Sequence, residues 1–385
     1  MKEKKNKVVV IIDSIKRGGG AEKNAALLAT LLFESDVDVT LLTFHSFQNE
    51  YPYSCPRISF VEESKNSFIK KIFKAIRRLQ QINRFCADND ISHIISFLDQ
   101  ANRYTILTRI LLRNKSKIIV SVRADPSFAS KKKQLIIKML YPFAHKVVGV
   151  SLQMEQILRK QFGLSNVTTI YNPVDKDLVS QLMQDPLLQV YRHLEDTDAQ
   201  PIFINVGRLS KQKGHIDLIK IFFKFVKDYP KARLLIVGDG VEKNNLLREI
   251  ERKHLEKNAF LIGHQDNIYP FLRISDCFLL SSVYEGFPNV LLEAAASGLY
   301  IISTDCNTGP REIINPKKFG EKLSYPCRIN GASLVSDFSQ VEVTANLFYQ
   351  EMVWFAKNKL TEKQSITIDQ FSKQIFLNKW LDLLI

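Results

Sequence analysis

Short apolar runs alternate with amphipathic segments along most of the chain. The first run, KVVVIID at 7–13, is rich in β-branched residues, and a glycine-rich segment at 17–22 separates it from the helix-like segment 24–35. This succession predicts a strand, a tight turn and a helix. Further candidate strands lie at 37–44, 91–98, 116–122 and 145–151. Because apolar strands alternate with helices, we predict a mostly parallel sheet with helices on both faces.

The same pattern begins again after residue 175. Candidate strands follow at 201–209, 232–240, 259–265, 276–282 and 300–305. The length of 385 residues suits two or three domains of roughly 100–200 residues each. The pattern therefore predicts two α/β domains joined near residue 175. An amphipathic segment at 369–385 closes the chain, and its periodicity does not decide which domain it joins.

Composition adds an uneven distribution of charge. The chain carries 54 Lys and Arg against 40 Asp and Glu, a formal net charge of +14, and its 45% hydrophobic content excludes disorder as the main state. Residues 1–175 hold 28 basic and 15 acidic residues, so nearly all of the excess lies in the first predicted domain. A domain this basic indicates an anionic partner.

Cysteine usage and hydropathy predict a cytoplasmic protein without a metal site. The five cysteines are dispersed and form no C-x-x-C pair, which favours reduced thiols. The first residues lack the uninterrupted apolar core of a secretory signal, and no apolar run approaches the ~18 residues of a spanning helix.

Glycine and basic residues follow two of the predicted strands, where ligands of open α/β sheets bind. Gly18 to Gly20 open a helix, so the backbone there can approach an anion, although a tight turn alone would also require glycine. Arg208, Lys211 and Lys213 lie between a strand and a helix, an arrangement that suits a diphosphate. The alternative for these cations is a solvated basic turn.

A third motif, SSVYEGFPNVLLEAAASG at 281–298, combines two glutamates with a helix start. Glu285 lies at a strand end, and Glu293 follows eight residues later. The backbone N–H groups of Asn289, Val290 and Leu291 would be unpaired in the first helical turn and could bind phosphate. The alternative is a helix cap and a helix-face carboxylate, which explains Glu293 poorly because its neighbours are apolar and small.

In their order along the chain, these motifs resemble the family-4 retaining glycosyltransferases, which have the GT-B fold. The segments that carry the resemblance are GGGAE (18–22), YNPVD (171–175), GRLSKQKG (207–214), LIVGDG (235–240), LIGHQDNI (261–268), EGFPNVLLE (285–293) and ASGLYIIST (296–304). The resemblance implies two Rossmann-like, doubly wound domains that face a central cleft. It assigns 1–175 to acceptor binding and 176–368 to the nucleotide sugar, with the helix at 369–385 returning to the first domain.

The resemblance also implies site residues. Arg208 and Lys213 match the cations that stabilise the donor diphosphate, and Glu285 matches a catalytic carboxylate near the donor sugar. Glu293 matches a contact to the ribose. The other implied donor-binding positions are Gly19, Gly20, Gly207, Gly238, Ile262, Gly263, His264, Gly286, Phe287, Pro288, Asn289, Val290 and Leu291.

The implied reaction moves a hexosyl or N-acetylhexosaminyl group, with retention, from a nucleotide sugar, most naturally a UDP-sugar. Cleavage leaves negative charge on the diphosphate, so preplaced cations and amides supply the catalysis. We expect no metal and no other cofactor.

Acceptor-side candidates follow two strands of the first domain. Many relatives carry a His where this chain has SVRADPS at 121–127, so Arg123 and Asp125 are candidates. Their alternatives are a surface charge and a turn former. Asp99 and Asn102, which follow the preceding predicted strand at 91–98, are the other two candidates.

The segment 65–85 predicts a helix on an anionic membrane surface. It places Phe68, Ile69, Ile72, Phe73, Ile76 and Leu79 on one face and Lys70, Lys71, Lys74, Arg77 and Arg78 around the other. The segment 128–143 is a second candidate, and a helix docked on the sheet is the alternative. Charge and resemblance together favour a lipid-linked saccharide or polysaccharide acceptor at the cytoplasmic membrane face, as in O-antigen, capsule or other polysaccharide biosynthesis, and no nucleic acid.

Two other functions remain open from the sequence. A UDP-sugar epimerase would share the GT-B fold without a lipid acceptor. A non-catalytic membrane-surface protein could also retain the fold, although Arg208, Lys213, Glu285 and Glu293 argue for catalysis.

Overall fold

The computed structural model divides into two compact units. The structure describes residues 6–60, 68–195, 200–358 and 366–385, and of residues 68–72 only the backbone. The first unit comprises Met1–Asn172 and Gln374–Ile385, and the second comprises Pro173–Lys373. The sequence pattern predicted a junction near 175, and the resemblance implied a second one at 369.

The first unit alternates strands and helices. Its elements are β1 Lys7–Ile12, α1 Gly20–Glu34, β2 Asp38–Thr43, β3 Arg57–Ser59, α2 Phe68–Asp88, β4 His93–Phe97, α3 Asp99–Leu112, β5 Lys117–Val122, α4 Lys131–Leu140, β6 Lys146–Gly149, α5 Leu152–Lys160 and β7 Val167–Thr169. The described strands pair in parallel in the order β3-β2-β1-β4-β5-β6-β7. This order reverses direction at β1, as in a doubly wound sheet.

The second unit repeats the arrangement. Its elements are α6 Lys176–Leu182, β8 Ile202–Val206, α7 His215–Asp228, β9 Arg233–Val237, α8 Lys243–Arg252, β10 Ala259–Gly263, α9 Tyr269–Arg273, β11 Cys277–Leu280, α10 Asn289–Ala296, β12 Tyr300–Thr304, α11 Pro310–Ile314, β13 Cys327–Ile329, β14 Ala332–Val335 and α12 Val341–Asn358. The strand order is β10-β9-β8-β11-β12-β14-β13, and β13 is antiparallel to β14. The predicted fold class of two Rossmann-like α/β domains is confirmed.

The last helix, α13 Lys373–Leu381, completes the core of the first unit. Trp380 is fully buried among residues of that core, with its ring centroid 6.0 Å from that of Phe97. Phe376 and Leu384 belong to the same apolar cluster. The segment that closes the chain therefore packs on the N-terminal sheet.

Helix α2 differs from the amphipathic helix that its sequence predicts. The side chains of residues 61–72 lie outside the described part of the chain. Phe73 and Ile76 are exposed, but Leu79 is buried. Arg78 is only 1% exposed, and its guanidinium lies 4.2 Å from the ring centroid of Phe44. The prediction that Arg78 belongs to a solvated basic face was wrong, because this side chain faces the protein interior.

Candidate functional site

The loops that follow strands β8, β9 and β10 are joined through their backbones. The Gly207 N–H donates to the Val237 carbonyl at 2.9 Å, and the Gly238 N–H donates to the Gly263 carbonyl at 2.8 Å. Gly238 has φ +146°, and a Cβ at this position would lie 1.9 Å from the Gly207 carbonyl oxygen. Only glycine permits both the angle and this approach. Three predicted donor-binding glycines therefore lie side by side at the carboxyl edge of the second sheet.

The two strongest catalytic candidates contact each other. Lys213 Nζ lies 2.6 Å from Glu285 Oε1, and the Ser282 hydroxyl donates to the same oxygen at 2.6 Å. Glu285 is 6% exposed. An ion pair so removed from water is held by its hydrogen bonds, and removal of one partner leaves an uncompensated charge. Sequence reasoning missed Ser282, whose position just after β11 was the available signal.

Glycine also fixes the position of the basic loop. Gly214 has φ +64°, and a Cβ there would lie 2.1 Å from the Ser281 carbonyl oxygen. The Ser281 hydroxyl donates to the Lys213 carbonyl at 2.8 Å, and the Gln212 side chain donates to the Tyr284 carbonyl at 2.8 Å. These contacts hold Lys213 against the loop that carries Glu285. Arg208 belongs to the same basic loop and has an exposed side chain.

Helix α10 begins beside this ion pair. Its N-cap residue is Pro288, whose side chain makes no capping hydrogen bond. The Leu291 N–H donates to the Pro288 carbonyl at 2.9 Å, so the prediction that this amide is unpaired was wrong. Asn289 and Val290 lie in the same first turn.

The remaining residues of this segment have distinct surroundings. Glu293 is half-buried one turn into α10, and the Tyr269 hydroxyl lies 3.5 Å from its Oε1. Gly286, Phe287 and Pro288 are buried. The Phe287 ring lies 5.6 Å from that of Phe371, so its side chain contributes to packing.

The loop after β10 holds the positions predicted near the nucleobase. The Ile262 carbonyl accepts a hydrogen bond from the Tyr191 hydroxyl at 2.8 Å, a partner that sequence reasoning missed. Gly263 has φ +80° and no atom within 4 Å of where a Cβ would lie. His264 is exposed and lies 3.5 Å from the Asp266 carboxylate. The accessible part of this loop is therefore at Gly263 and His264.

A second ion pair fixes the loop after β12. Asp305, whose side chain is 2% exposed, accepts hydrogen bonds from Arg311 Nε at 2.9 Å and from the Tyr325 hydroxyl at 2.5 Å. Within the same loop the Thr308 hydroxyl donates to the Glu285 carbonyl. A Cβ on Gly309 would lie 2.6 Å from Pro288. The Asp305 pair therefore positions a loop that touches both Glu285 and the start of α10.

In the first unit, Gly19 and Gly20 begin α1. Gly19 is its N-cap, and the Gly18 N–H donates to the Tyr51 hydroxyl at 3.2 Å. A Cβ on Gly19 would lie 1.9 Å from a Glu22 carboxylate oxygen. A carboxylate thus already occupies the positive end of this helix, which is the place the sequence predicts for an anion.

The acceptor-side candidates are not equivalent. Arg123 donates to the Asn172 side chain and lies 5.3 Å from the Phe97 ring centroid, and burial lowers its pKa to about 9. The alternative of a surface charge does not fit this position. Asp125 is buried and accepts a hydrogen bond from the Ser127 N–H at 2.8 Å. This bond agrees with the alternative in which Asp125 forms a turn.

Two further candidates lie at the start of α3. Asp99 is half exposed and pairs with Lys133. Asn102 is 1% exposed, accepts from the Ser96 hydroxyl at 2.8 Å and donates to the Ser121 carbonyl at 3.0 Å. Asn102 links two strands in the interior, so its side chain is not available to an acceptor.

Sequence reasoning missed Asp13, at the carboxyl end of β1. Burial raises the pKa of this carboxyl to about 6, although the nearby charges of Arg78 and Arg103 act in the opposite direction. Its Oδ1 is buried without a hydrogen-bond partner among the described residues. The sequence signal for Asp13 was its position between the end of the first strand and the glycine-rich turn.

The described residues include neither a candidate metal site nor a candidate membrane-spanning helix. The described ranges contain no cluster of three or more His, Cys, Asp or Glu side chains that could hold a metal ion. Nor does any described helix combine the length and the hydropathy needed to cross a bilayer.

Comparison with known proteins shows the family. The model described as glycosyltransferase family 4 matches residues 18–178, and the model described as glycosyl transferases group 1 matches residues 191–340. An uncharacterized glycosyltransferase of Methanocaldococcus jannaschii is 33% identical over 83% of this chain and 79% of its own length.

Two bacterial relatives have named activities. An N-acetylgalactosamine-N,N'-diacetylbacillosaminyl-diphospho-undecaprenol 4-alpha-N-acetylgalactosaminyltransferase of Campylobacter jejuni is 29% identical over 82% of this chain and 85% of its own. The amylovoran biosynthesis glycosyltransferase AmsD of Erwinia amylovora is 31% identical over 80% of this chain and 83% of its own.

Solved structures share the fold. Anabaena HepE in complex with UDP and glucose has a TM-score of 0.74 at 18% identity and covers 98% of this chain and 99% of its own. Sucrose-phosphate synthase of Thermosynechococcus elongatus has a TM-score of 0.76 at 16% identity, with 98% of each chain covered. The chain therefore belongs to glycosyltransferase family 4 and has the GT-B fold.

Proposed function

We propose that this chain transfers a sugar from a nucleotide sugar, most naturally a UDP-sugar, to a lipid-linked saccharide, with retention of the anomeric configuration and without a metal. The observation that carries the proposal is the Lys213–Glu285 ion pair, with its buried carboxylate, beside the N-terminus of α10. Cation, carboxylate and helix N-terminus are the groups that a sugar diphosphate requires in one place.

The ion pair prepares both groups for their roles. The Lys213 ammonium has three N–H donors, so it can keep Glu285 and still donate to a phosphate oxygen. Glu285 retains a second carboxylate oxygen that can accept a hydrogen bond from a sugar hydroxyl. The exposed guanidinium of Arg208 supplies further positive charge.

The proposed reaction breaks the bond between the anomeric carbon and the diphosphate oxygen. Negative charge that develops on the leaving group is stabilised by Lys213 and Arg208, which is the interaction that strengthens in the transition state. The acceptor hydroxyl attacks the face that the diphosphate leaves, forms the new glycosidic bond, and gives its proton to the departing phosphate oxygen. No nucleophile from the protein is needed.

Donor and acceptor classes are supported by the relatives. HepE, which shares the fold, was crystallised with UDP and glucose. The Campylobacter jejuni relative is named for an acceptor that carries diphospho-undecaprenol. A lipid-linked acceptor also agrees with a first domain in which basic residues outnumber acidic ones by nearly two to one. We propose a peripheral position at the cytoplasmic membrane face for the same reason.

The test is a panel of UDP-sugars with lipid-linked saccharide acceptors, read out by nucleotide release and by the anomeric configuration of the product. Lys213→Met and Glu285→Gln should each lower kcat by about a hundredfold or more, because each removes charge at the reacting centre. Lys231→Met, which removes an exposed lysine before β9, is the matched control and should transfer normally.

Several outcomes would contradict the proposal. Wild-type rates in both Lys213→Met and Glu285→Gln, with a verified donor and acceptor, would refute the site. Conversion of the UDP-sugar to its epimer without an acceptor would establish the epimerase alternative. Loss of transfer in EDTA, with recovery on addition of a divalent cation, would refute metal independence.

A further inference from the structure

Helix α4 presents an exposed face that combines apolar and basic side chains. Leu135 is 57% exposed and Met139 is 61% exposed. Lys131, Lys132 and Lys138 are exposed on the same helix. Residues three and four positions apart are neighbours on a helix surface, so these lysines and Met139 surround Leu135. We call these five residues the α4 face.

The apolar surface continues beyond both ends of the helix. Phe128 precedes α4 and is 53% exposed, and Phe143 follows it and is 52% exposed. Single exposed apolar residues are normal on a protein surface. Here four large ones occur within one short segment, and this grouping requires a partner.

Packing within the first unit uses neither Leu135 nor Met139, whereas the Lys138 ammonium lies 5.7 Å from the ring centroid of the buried Phe162. Ile137 is the buried residue of this helix, and Ile136 and Leu140 are half-buried. Lys133, on the other side of the helix, pairs with Asp99. The apolar contacts that attach α4 to the first unit are therefore made without Leu135 and Met139.

We propose that the α4 face inserts into an anionic lipid surface. Leu135 and Met139 would enter the boundary between headgroups and acyl chains, while Lys131 and Lys132 extend their ammonium groups to lipid phosphates. This inference rests on the proposed function for its choice of partner, because the acceptor proposed there is lipid-linked. The ten residues of α4 suit a helix that lies in the plane of the surface.

Charge complementarity favours lipid over a second copy of the chain. A two-fold contact through the α4 face would bring Lys131, Lys132 and Lys138 of both copies together, and like charges oppose such a contact. An anionic leaflet instead attracts each lysine by an amount that suffices, with two apolar anchors, for reversible binding.

The experiment measures flotation of the full chain with vesicles of phosphatidylcholine alone or mixed with phosphatidylglycerol. Wild type should bind the mixed vesicles more tightly, and salt should weaken this binding. The variant Leu135→Gln/Met139→Gln should lower the partition coefficient by about tenfold or more. Lys131→Gln/Lys132→Gln should lower it by a similar factor and reduce its salt dependence. The matched control Leu188→Gln/Val190→Gln, with side chains 62% and 66% exposed in the second unit, should bind as wild type.

A second measurement reports insertion directly. In Met139→Trp, brominated lipids should quench the added fluorescence, beyond any effect on the native Trp354 and Trp380. Unchanged vesicle binding of the Leu135→Gln/Met139→Gln variant would overturn the proposal, as would absence of wild-type binding. A change of oligomeric state in that variant, with vesicle binding intact, would assign the face to a second copy instead.

Activity separates this proposal from the proposed function. With a water-soluble acceptor analogue, the Leu135→Gln/Met139→Gln variant should transfer sugar at the wild-type rate. Absence of transfer by wild type to any acceptor would refute the proposed function, and the vesicle measurements would still decide the α4 face.

Discussion

At the scale of single residues, Asp13 is held in an environment that disfavours its charge. Burial raises its pKa from 3.8 to about 6. Above pH 6 the folded chain therefore holds an ionised carboxylate that is more stable in the unfolded chain, at a cost of about 3 kcal/mol. At about pH 3, below both pKa values, the carboxyl is largely protonated in both states and this cost disappears. A position that lowers stability in this way is typical of functional sites.

We expect Asp13→Asn to stabilise the first unit at pH 8 by about 1–3 kcal/mol, because the neutral amide avoids the desolvation cost. The gain should shrink as the pH falls from 6 and be absent at about pH 3, below both pKa values. Denaturant unfolding at both pH values measures it. Asp88→Asn, an exposed carboxylate on α2, serves as control and should change stability little. An equal gain at both pH values would show that charge is not the cause.

At the scale of elements, the loop after β12 is positioned by Arg311. The buried Asp305 carboxylate depends on this guanidinium, and the same loop contacts Glu285 and Pro288. An ion pair placed outside the proposed diphosphate site can thus determine the geometry of that site. Arg311 donates to the Asp305 carboxylate from both Nε and Nη2, and a Lys cannot reproduce this pair of donors.

We expect Arg311→Met to weaken UDP binding by about tenfold, with Arg311→Lys between it and wild type, because a loosened loop must be ordered again on binding. Titration calorimetry with UDP measures this. Arg328→Met is the matched control, since it breaks a comparable pair with the fully buried Glu351 elsewhere in the second unit. If both variants lose stability equally and only Arg311→Met loses UDP affinity, the loop has the positioning role. Equal affinities in the two would contradict it.

The sequence predicted long elements well and short ones poorly. Strands β1 and β8 carry apolar runs between glycine turns, and their periodicity is sufficient to identify them. Strands β3 and β7 have three residues each, too few for a period to appear. Helix boundaries were also displaced, since α1 begins at Gly20, four residues before the predicted start at 24.

Site prediction failed where burial decides the role of a polar residue. Lys213 and Glu285 are 72 positions apart in the sequence and 2.6 Å apart in the structure. The resemblance alone assigned both residues to the donor site. Asn102 and Arg78 are of residue types that are usually found at the surface. In this chain, hydrogen bonds hold Asn102 in the interior, and Arg78 packs on an aromatic ring there. Local sequence contains no record of such long-range partners.

At the scale of the whole molecule, the first unit is assembled from the two ends of the chain. We expect Trp380→Ala to destabilise it by about 3–5 kcal/mol, because a fully buried indole leaves a large cavity. Hydrogen exchange read by mass spectrometry should show lost protection in β1, β4 and β5 and normal protection in β8, β9 and β11. Trp354→Ala, at a partly buried side chain packed against the core of the second unit, should reverse this pattern. Equal losses in both units would contradict the assignment of α13.

The late position of α13 in the chain has a consequence for synthesis. A ribosome delivers the first 172 residues early, but Phe376 and Trp380 emerge only after the roughly 200 residues of the second unit have been made. At about 5–20 residues per second, the apolar surface that these side chains cover meets solvent for about 10–40 s. The second unit is continuous in sequence and can close its core during that interval. The N-terminal sheet, although translated first, is thus completed only after the second unit has been made, and chaperones that shield nascent apolar surfaces have their substrate there.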